Sequence, residues 1–175
     1  MAHIPINHPL QPLYRVVAAL CGLYVLVAGV LLFIGARGQD FFAQEGLPRA
    51  LLIQGNQAFG VLSIVVGLVL FGGAIAGGNL DHWINLVAGG VFLVAGMAMM
   101  ALLQTDLNFL GYSMSTCIAS FILGLLMLTA GLYGKVGTEE DVRREEAFRH
   151  GQIADPDHSH PLTAPNPQHG EEKMA

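Results

Sequence analysis

The sequence predicts an all-α polytopic membrane protein, a four-transmembrane-helix antiparallel bundle with a short cytoplasmic C-terminal helix and a disordered tail. Hydrophobic residues make up 53% of the 175-residue chain and charged residues 12%, which is too apolar for an ordinary soluble domain. Four stretches of 20 to 26 residues contain no Asp, Glu, Lys, Arg or His. Each is long enough, at about 1.5 Å per residue, to cover the roughly 30 Å hydrocarbon core of a bilayer.

A glycine pattern in all four stretches supports the same fold class. Each stretch holds two glycines seven residues apart, which is almost two helical turns, so both lie nearly on one line along a helix. Such glycines let helix backbones approach closely, as helices do when they associate in lipid. The predicted helix-packing positions are Gly22, Gly29, Gly60, Gly67, Gly89, Gly96, Gly124 and Gly131. Four residues before the first glycine of each pair stand Ala18, Asn56, Asn85 and Ser120, which share that face.

The chain is expected to begin with an extended lead-in over residues 1–12, where three prolines oppose a helix. The transmembrane domain follows at 13–137. Its spans are predicted at about 16–36, 51–76, 84–103 and 114–133. The separations between the glycine pairs indicate two hairpins, and an ancestral hairpin duplication is one hypothesis for the repeat.

Polar and aromatic residues are expected at the membrane interface before two of the spans. Tyr14 and Arg15 precede the first span, and Asp81, His82 and Trp83 precede the third. The Asp81-His82 pair is expected to be exposed, which makes it a weak candidate for a pH sensor.

The connecting and terminal segments have distinct compositions. Phenylalanines among acids and amides in the loop Arg37–Ala50 favour a short amphipathic element on the membrane surface. Acid-to-arginine pairs spaced four apart predict a short solvated helix over 138–150. Prolines among polar residues predict disorder over 151–175, where three histidines lack the spacing of a metal site.

The distribution of lysine and arginine predicts cytoplasmic N- and C-termini. The residues that flank the spans on the side of the termini are Arg15, Lys135, Arg143, Arg144 and Arg149, whereas the opposite side has Arg37 and Arg49. With this topology Cys21 and Cys117 lie near opposite faces of the membrane, so a disulfide between them is not expected. Both are interpreted as small apolar core residues.

The uncharged spans disfavour whole classes of function. Proton pumps, ion-coupled transporters and voltage sensors use intramembrane charges, and the motifs of hydrolases, nucleotide-binding loops and zinc peptidases are missing. We therefore expect no enzymatic activity, cofactor, metal or nucleic acid. Polar residues instead cluster at the predicted outer ends of the spans. This outer polar rim is a possible ligand or partner contact and comprises Gln54, Asn56, Gln57, Gln104, Asp106, Asn108 and Ser115. The alternative is that these residues only cap helix ends.

Three segments together resemble a group of small four-span membrane proteins, common in actinobacteria, catalogued as a domain of unknown function. They are Ile6–Arg15, Asn79–Val87 and Leu103–Leu110, and the resemblance covers about residues 6–137. It implies a four-helix bundle in a bacterial plasma membrane and no established activity. At Ser120-Phe121 the chain departs from many members, which have a histidine there, so any role of that histidine is absent or moved here.

Two hypotheses of function follow. The first is a non-enzymatic accessory or structural subunit that packs through its glycine-lined faces with a larger membrane complex or with itself. The second is a binder or carrier of a lipid or another neutral apolar small molecule. A continuous cavity under the outer polar rim would favour the second, whereas a fully packed bundle would exclude it. A channel is least favoured, because only the helix ends are polar.

Overall fold

The computed structural model describes residues 10–137, and four long helices dominate this part of the chain. The elements in chain order are α1 (Gln11–Gly35), β1 (Arg49–Ala50), β2 (Ile53–Gln54), α2 (Gln57–Ala76), α3 (Gly78–Leu102) and α4 (Met114–Tyr133). All four helices are long and apolar enough to span a membrane. The predictions for 138–150, for 151–175 and for most of 1–12 lie outside the described residues.

The first helix starts earlier than predicted. α1 begins at Gln11, ahead of residue 16, and contains Pro12 in its first turn. Proline is accepted there because an N–H at that position would have no partner within the helix.

The second helix starts later than predicted, at Gln57 instead of residue 51. The apolar residues before it form a turn and not a helix. Leu51 and Leu52 have φ of 50° and 73° and connect β1 to β2. Asn56 then caps the helix, because its Oδ1 accepts a hydrogen bond from the Phe59 N–H at 3.0 Å. Hydropathy alone places the boundary too early here.

The loop Arg37–Ala50 forms no helix, and an amphipathic element along the membrane surface stays a prediction. The loop consists of turns and bends that lead into β1. Gly38 and Gly46 have φ of 84° and 66°, in the left-handed region that interrupts a helix. The Gln39 amide closes the loop by donating to the Gly46 carbonyl at 2.9 Å.

The third helix begins at Gly78 instead of residue 84, and only Gly77 separates it from α2. These two glycines have φ of 65° and 69°, which lets the chain reverse direction over so few residues. Asp81 and His82 therefore lie in the first turn of α3, with 6% and 5% of their surface exposed. The expectation that this pair is exposed is wrong.

The paired glycines lie where two helices meet most closely. α1 packs mainly along α2, and α3 mainly along α4. A Cβ placed on Gly22 would lie 2.6 Å from the Phe71 nitrogen, and one on Gly89 would lie 2.6 Å from the Leu128 nitrogen. The other six also face the partner helix of their own hairpin at 2.5–3.3 Å: Gly29, Gly60, Gly67, Gly96, Gly124 and Gly131. In each hairpin, residues near the end of the first helix contact residues near the start of the second.

The buried apolar core lies mainly between α1, α2 and α4. One cluster joins Cys21 and Val25 of α1 to Leu70 of α2 and to Leu123 and Met127 of α4. The third helix is the least enclosed, with 22% of its most apolar window buried against 39–44% for the other three. Much of the surface of α3 is therefore left free of contacts within the described chain.

Candidate functional site

An apolar groove of about 550 Å³ lies between α2 and α3. Its walls, which define the α2–α3 groove, are the face of α2 from Phe59 to Leu70 and the face of α3 from Trp83 to Ala95. Val25 of α1 and several residues of α4 form its floor. Near the α2–α3 junction the two helices are in close contact, since a Cβ on Gly73 would lie 2.7 Å from the Ile84 side chain. Elsewhere the two hairpins meet mainly through α1 and α4.

The mouth of the groove faces sideways, along the flanks of the helices. Its edges are the exposed side chains of Leu62, Val65 and Val69 on α2 and of Val87 and Val91 on α3, each 46–60% exposed. These side chains are aliphatic, so the mouth suits hydrocarbon rather than water. When the helices span a membrane, lipid chains have direct access to it.

A few hydroxyl groups interrupt this apolar lining. Ser63, Tyr112 and Ser120 reach the groove, and the side chains of Tyr112 and Ser120 interact there. The Tyr112 ring also packs edge-on against Phe59, with ring centroids 4.8 Å apart. Burial raises the pKa of the Tyr112 phenol, and the interaction with Ser120 opposes that effect only in part. The phenol is therefore a neutral donor at physiological pH.

Thr116 also lines the groove, but its hydroxyl is already paired with β2. It accepts a hydrogen bond from the Gln54 N–H at 2.8 Å and donates one to the Gln54 carbonyl at 3.0 Å. This pair fastens the first turn of α4 to the segment that precedes α2. Thr116 thus closes one end of the groove and has little capacity left for a ligand.

Asn56 and Asn108 hold the loops together at that same end, here called the Asn56 end. The Asn56 side chain is fully buried, and its Nδ2 donates to the Ala43 carbonyl at 3.1 Å and to the Phe109 carbonyl at 2.7 Å. The Asn108 Nδ2 donates to the Tyr112 carbonyl at 3.0 Å, and its Oδ1 accepts from the Tyr112 N–H at 2.8 Å. Both amides are engaged with the backbone.

The other residues of the outer polar rim have different environments. Gln54 lies in β2, where its Oε1 accepts from Arg49 at 2.7 Å, and Ser115 shares a hydrogen bond with the Ser113 hydroxyl at 2.9 Å. Gln57 is half-buried in the first turn of α2, whereas Gln104 and Asp106 are exposed beyond the end of α3. No residue of the rim lines the groove.

Arg15 joins three helices at the opposite end, here called the Arg15 end. Its Nε donates to the Ala74 carbonyl at 2.6 Å and its Nη2 to the Ile75 carbonyl at 2.5 Å, so it satisfies two of the last carbonyls of α2. The guanidinium also attracts the buried Asp81 carboxylate near the start of α3. An ionisable group within a helix that can span a membrane is a functional candidate by default, but the contacts of Arg15 with the end of α2 and with Asp81 give it a structural role.

Asn85 and His82 extend this cluster toward α4. Asn85 Nδ2 donates to Asp81 Oδ1 at 2.6 Å, while its own buried Oδ1 has no hydrogen-bond partner within residues 10–137. His82 Nδ1 lies 2.5 Å from the Gly131 carbonyl, which assigns the proton to that nitrogen. Next to it, Trp83 packs edge-on against the imidazole and lines the groove. The polar cluster at the Arg15 end, formed by Arg15, Asp81, His82 and Asn85, therefore meets the groove at Trp83.

The two cysteines are free and buried. Cys21 belongs to the core cluster of α1, and Cys117 lies in the first turns of α4.

Sequence reasoning missed the groove and two of its hydroxyl-bearing residues, Ser63 and Tyr112. A serine inside an otherwise apolar span was the available signal for Ser63. Ser120 was noted only for its place on the glycine face of its helix. For the groove itself there was no signal, because its walls have the same residue types as the helix contacts.

Comparison of this chain with models of protein families, with curated proteins and with solved structures finds no match.

Proposed function

We propose that this chain is a non-enzymatic integral membrane protein that binds a lipid or another neutral apolar small molecule in the α2–α3 groove. The observation that carries the proposal is the groove, about 550 Å³ of apolar space with a few hydroxyl groups in its lining. Ligand sites typically have volumes of about 300–1,000 Å³ and combine an apolar lining with a small number of placed polar groups.

The proposal includes the setting of the protein. The four helices form an antiparallel bundle in a bacterial plasma membrane, with both termini and the Arg15 end on the cytoplasmic side. The excess of lysine and arginine near the termini supports this orientation. The resemblance to the actinobacterial four-span group supports the bacterial membrane, and membership of that group is part of the proposal.

The glycine-lined faces do not favour the alternative of an accessory subunit. All eight paired glycines face the partner helix of their own hairpin, at 2.5–3.3 Å from a built Cβ. A second protein cannot pack against these faces without separating the hairpin. The paired glycines are therefore already occupied by contacts within each hairpin.

A different glycine favours the accessory subunit as the second candidate. A Cβ on Gly90 of α3 would meet nothing within 4 Å, and a shallow apolar depression surrounds it between Leu86 and Val94. A glycine on an open helix face fits the close approach of another membrane helix, from a second protein or from another copy. In mild detergent, Gly90→Leu should abolish any stoichiometric complex, while Gly72→Leu, at an equally open glycine of α2, should not. Recovery of the wild-type chain as monomer alone would remove this candidate.

Substitutions of two alanines of α3 test whether the groove binds a ligand. Ala95 lines the groove, whereas Ala98 is exposed and lies outside it, so Ala98→Phe is a matched control for Ala95→Phe. Native mass spectrometry of the chain purified from its membrane is expected to show one retained neutral molecule on the wild type and on Ala98→Phe. Ala95→Phe should lose it, with an unchanged helical circular dichroism signal. A wild type without a retained molecule, or equal retention by both variants, would contradict the proposal.

A further inference from the structure

Three hydroxyl groups reach the α2–α3 groove at one level. Ser63 is six residues beyond Gln57, the first residue of α2, and Ser120 is six beyond Met114, the first residue of α4. Both helices begin at the Asn56 end, so both serines lie about 9 Å along their helices from that end. Tyr112 comes from the loop before α4, and its side chain lines the groove and interacts with Ser120. These three residues are called the hydroxyl trio.

The rest of the lining cannot recognise a charged group. No residue that lines the groove within the described chain carries a formal charge, and the Thr116 hydroxyl is occupied by Gln54. An ionised head group would be desolvated there without a counterion, which is very unfavourable. A hydroxyl or carbonyl head, in contrast, needs only one or two hydrogen bonds, and the trio supplies donors and acceptors.

Beyond the hydroxyl trio, the groove continues toward the Arg15 end with an apolar lining. Ala95 lies near the level of the trio and Trp83 at the far end, twelve residues away along α3. That separation corresponds to about 18 Å of helix. It is slightly more than half of the roughly 30 Å hydrocarbon core, so the groove has the length of a lipid chain in one leaflet.

We infer that the occupant of the groove is a single-chain amphiphile with a neutral hydrogen-bonding head group, a hydroxyl or a carbonyl. Its head bonds to the hydroxyl trio, and its chain extends toward Trp83. This inference rests on the proposed function, because it identifies the class of ligand for the same site. It adds a fixed orientation, with the head near the Asn56 end.

Trp83 makes this orientation measurable, since it is the one tryptophan in the sequence. The chain is reconstituted in lipid nanodiscs, and Trp83 fluorescence is titrated with three probes of equal length. They are a long-chain primary alcohol brominated at its last carbon, the same alcohol brominated beside its hydroxyl, and an alkane brominated at one end. Bromine quenches tryptophan on contact. Only the first probe should give saturable quenching, which the unbrominated alcohol should reverse.

Hydroxyl-removing variants test the trio directly. Tyr112→Phe, Ser120→Ala and Ser63→Ala each remove one hydroxyl with little change of volume. The loss of a hydrogen bond to the head is expected to weaken the saturable binding about fivefold. Thr129→Val is the matched control, because the Thr129 hydroxyl donates to the Leu125 carbonyl at 2.8 Å and does not line the groove.

The outcomes separate this inference from the proposed function. Saturable quenching by the alkane equal to that by the alcohol would overturn the head-group site and leave a groove that binds apolar molecules. Quenching only by the probe brominated beside its hydroxyl would overturn the orientation. Trio variants that bind like Thr129→Val would overturn the role of the hydroxyls. If no probe gives saturable quenching, the groove is not a ligand site and both proposals fail.

Discussion

Replacement of Asn56 by alanine tests how the Asn56 end is held together. The side chain is fully buried and makes three hydrogen bonds to three different segments. Its Oδ1 caps α2 by accepting from the Phe59 N–H, and its Nδ2 donates to the carbonyls of Ala43 and Phe109. Asn56→Ala removes all three bonds at once and leaves two carbonyls without this donor.

The expected cost follows from these contacts. Loss of the cap destabilises by about 1 kcal/mol. Loss of two further hydrogen bonds adds about 1 kcal/mol each, so Asn56→Ala should lower the free energy of unfolding by about 3 kcal/mol. Asn56→Ser keeps an oxygen that can cap the helix but loses both donated bonds, and it should cost about 2 kcal/mol.

Unfolding by sodium dodecyl sulfate in mixed micelles, followed by circular dichroism, measures these differences. Ser113→Ala is the control, because Ser113 caps α4 through a long bond of 3.4 Å to the Thr116 N–H, and its other bonds go only to the neighbouring hydroxyls of Ser115 and Thr116. Its loss removes a cap without separating distant segments and should cost about 1 kcal/mol. If Asn56→Ala costs no more than Ser113→Ala, Asn56 acts only as a cap and does not tie the loops together.

Three further predictions concern the helix contacts, the Arg15 end and the pH dependence. Gly67→Ala places a Cβ 2.5 Å from the backbone of α1 and should lower the unfolding free energy by about 1–3 kcal/mol. Gly72→Ala, which meets nothing within 4 Å, should raise it by up to about 1 kcal/mol in the same assay. The double variant Arg15→Ala with Asp81→Asn should cost less than the sum of the single variants, and additive costs would show that these side chains do not interact. Tyr112 has a raised pKa in the fold, so its unfolded phenol ionises first, near pH 10, and its contribution to stability is complete below that pH and lost as the pH rises further. Unfolding measured across this range should be less pH-dependent in Tyr112→Phe, and an unchanged profile would contradict the burial of the phenol.

The sequence predicts helix bounds well where a capping residue directly precedes an apolar run. The predicted fourth span, 114–133, coincides with α4, which begins after the cap residue Ser113. The run before α2 is equally apolar, but Leu51 and Leu52 adopt positive φ in the turn between the strands. Hydropathy contains no information about that turn, which depends on the pairing of β1 with β2.

The ends of the bundle show a second limit. The charges of Asp81 and His82 indicate the end of a span, and yet both side chains are buried. Their partners, Arg15 and the Gly131 carbonyl, come from α1 and α4. Burial of a polar group becomes favourable only when such partners are in place. The position of those partners depends on how the helices pack, which one sequence does not contain.

The sideways mouth of the α2–α3 groove decides which concentration controls its occupancy. A molecule that enters between Val65 and Val87 passes from one hydrocarbon environment to another and need not cross water. Its chemical potential is then set by its mole fraction in the bilayer. Half-saturation of the proposed site is then a property of membrane composition: we expect dilution with ligand-free lipid to empty the groove, and dilution with buffer to leave it filled.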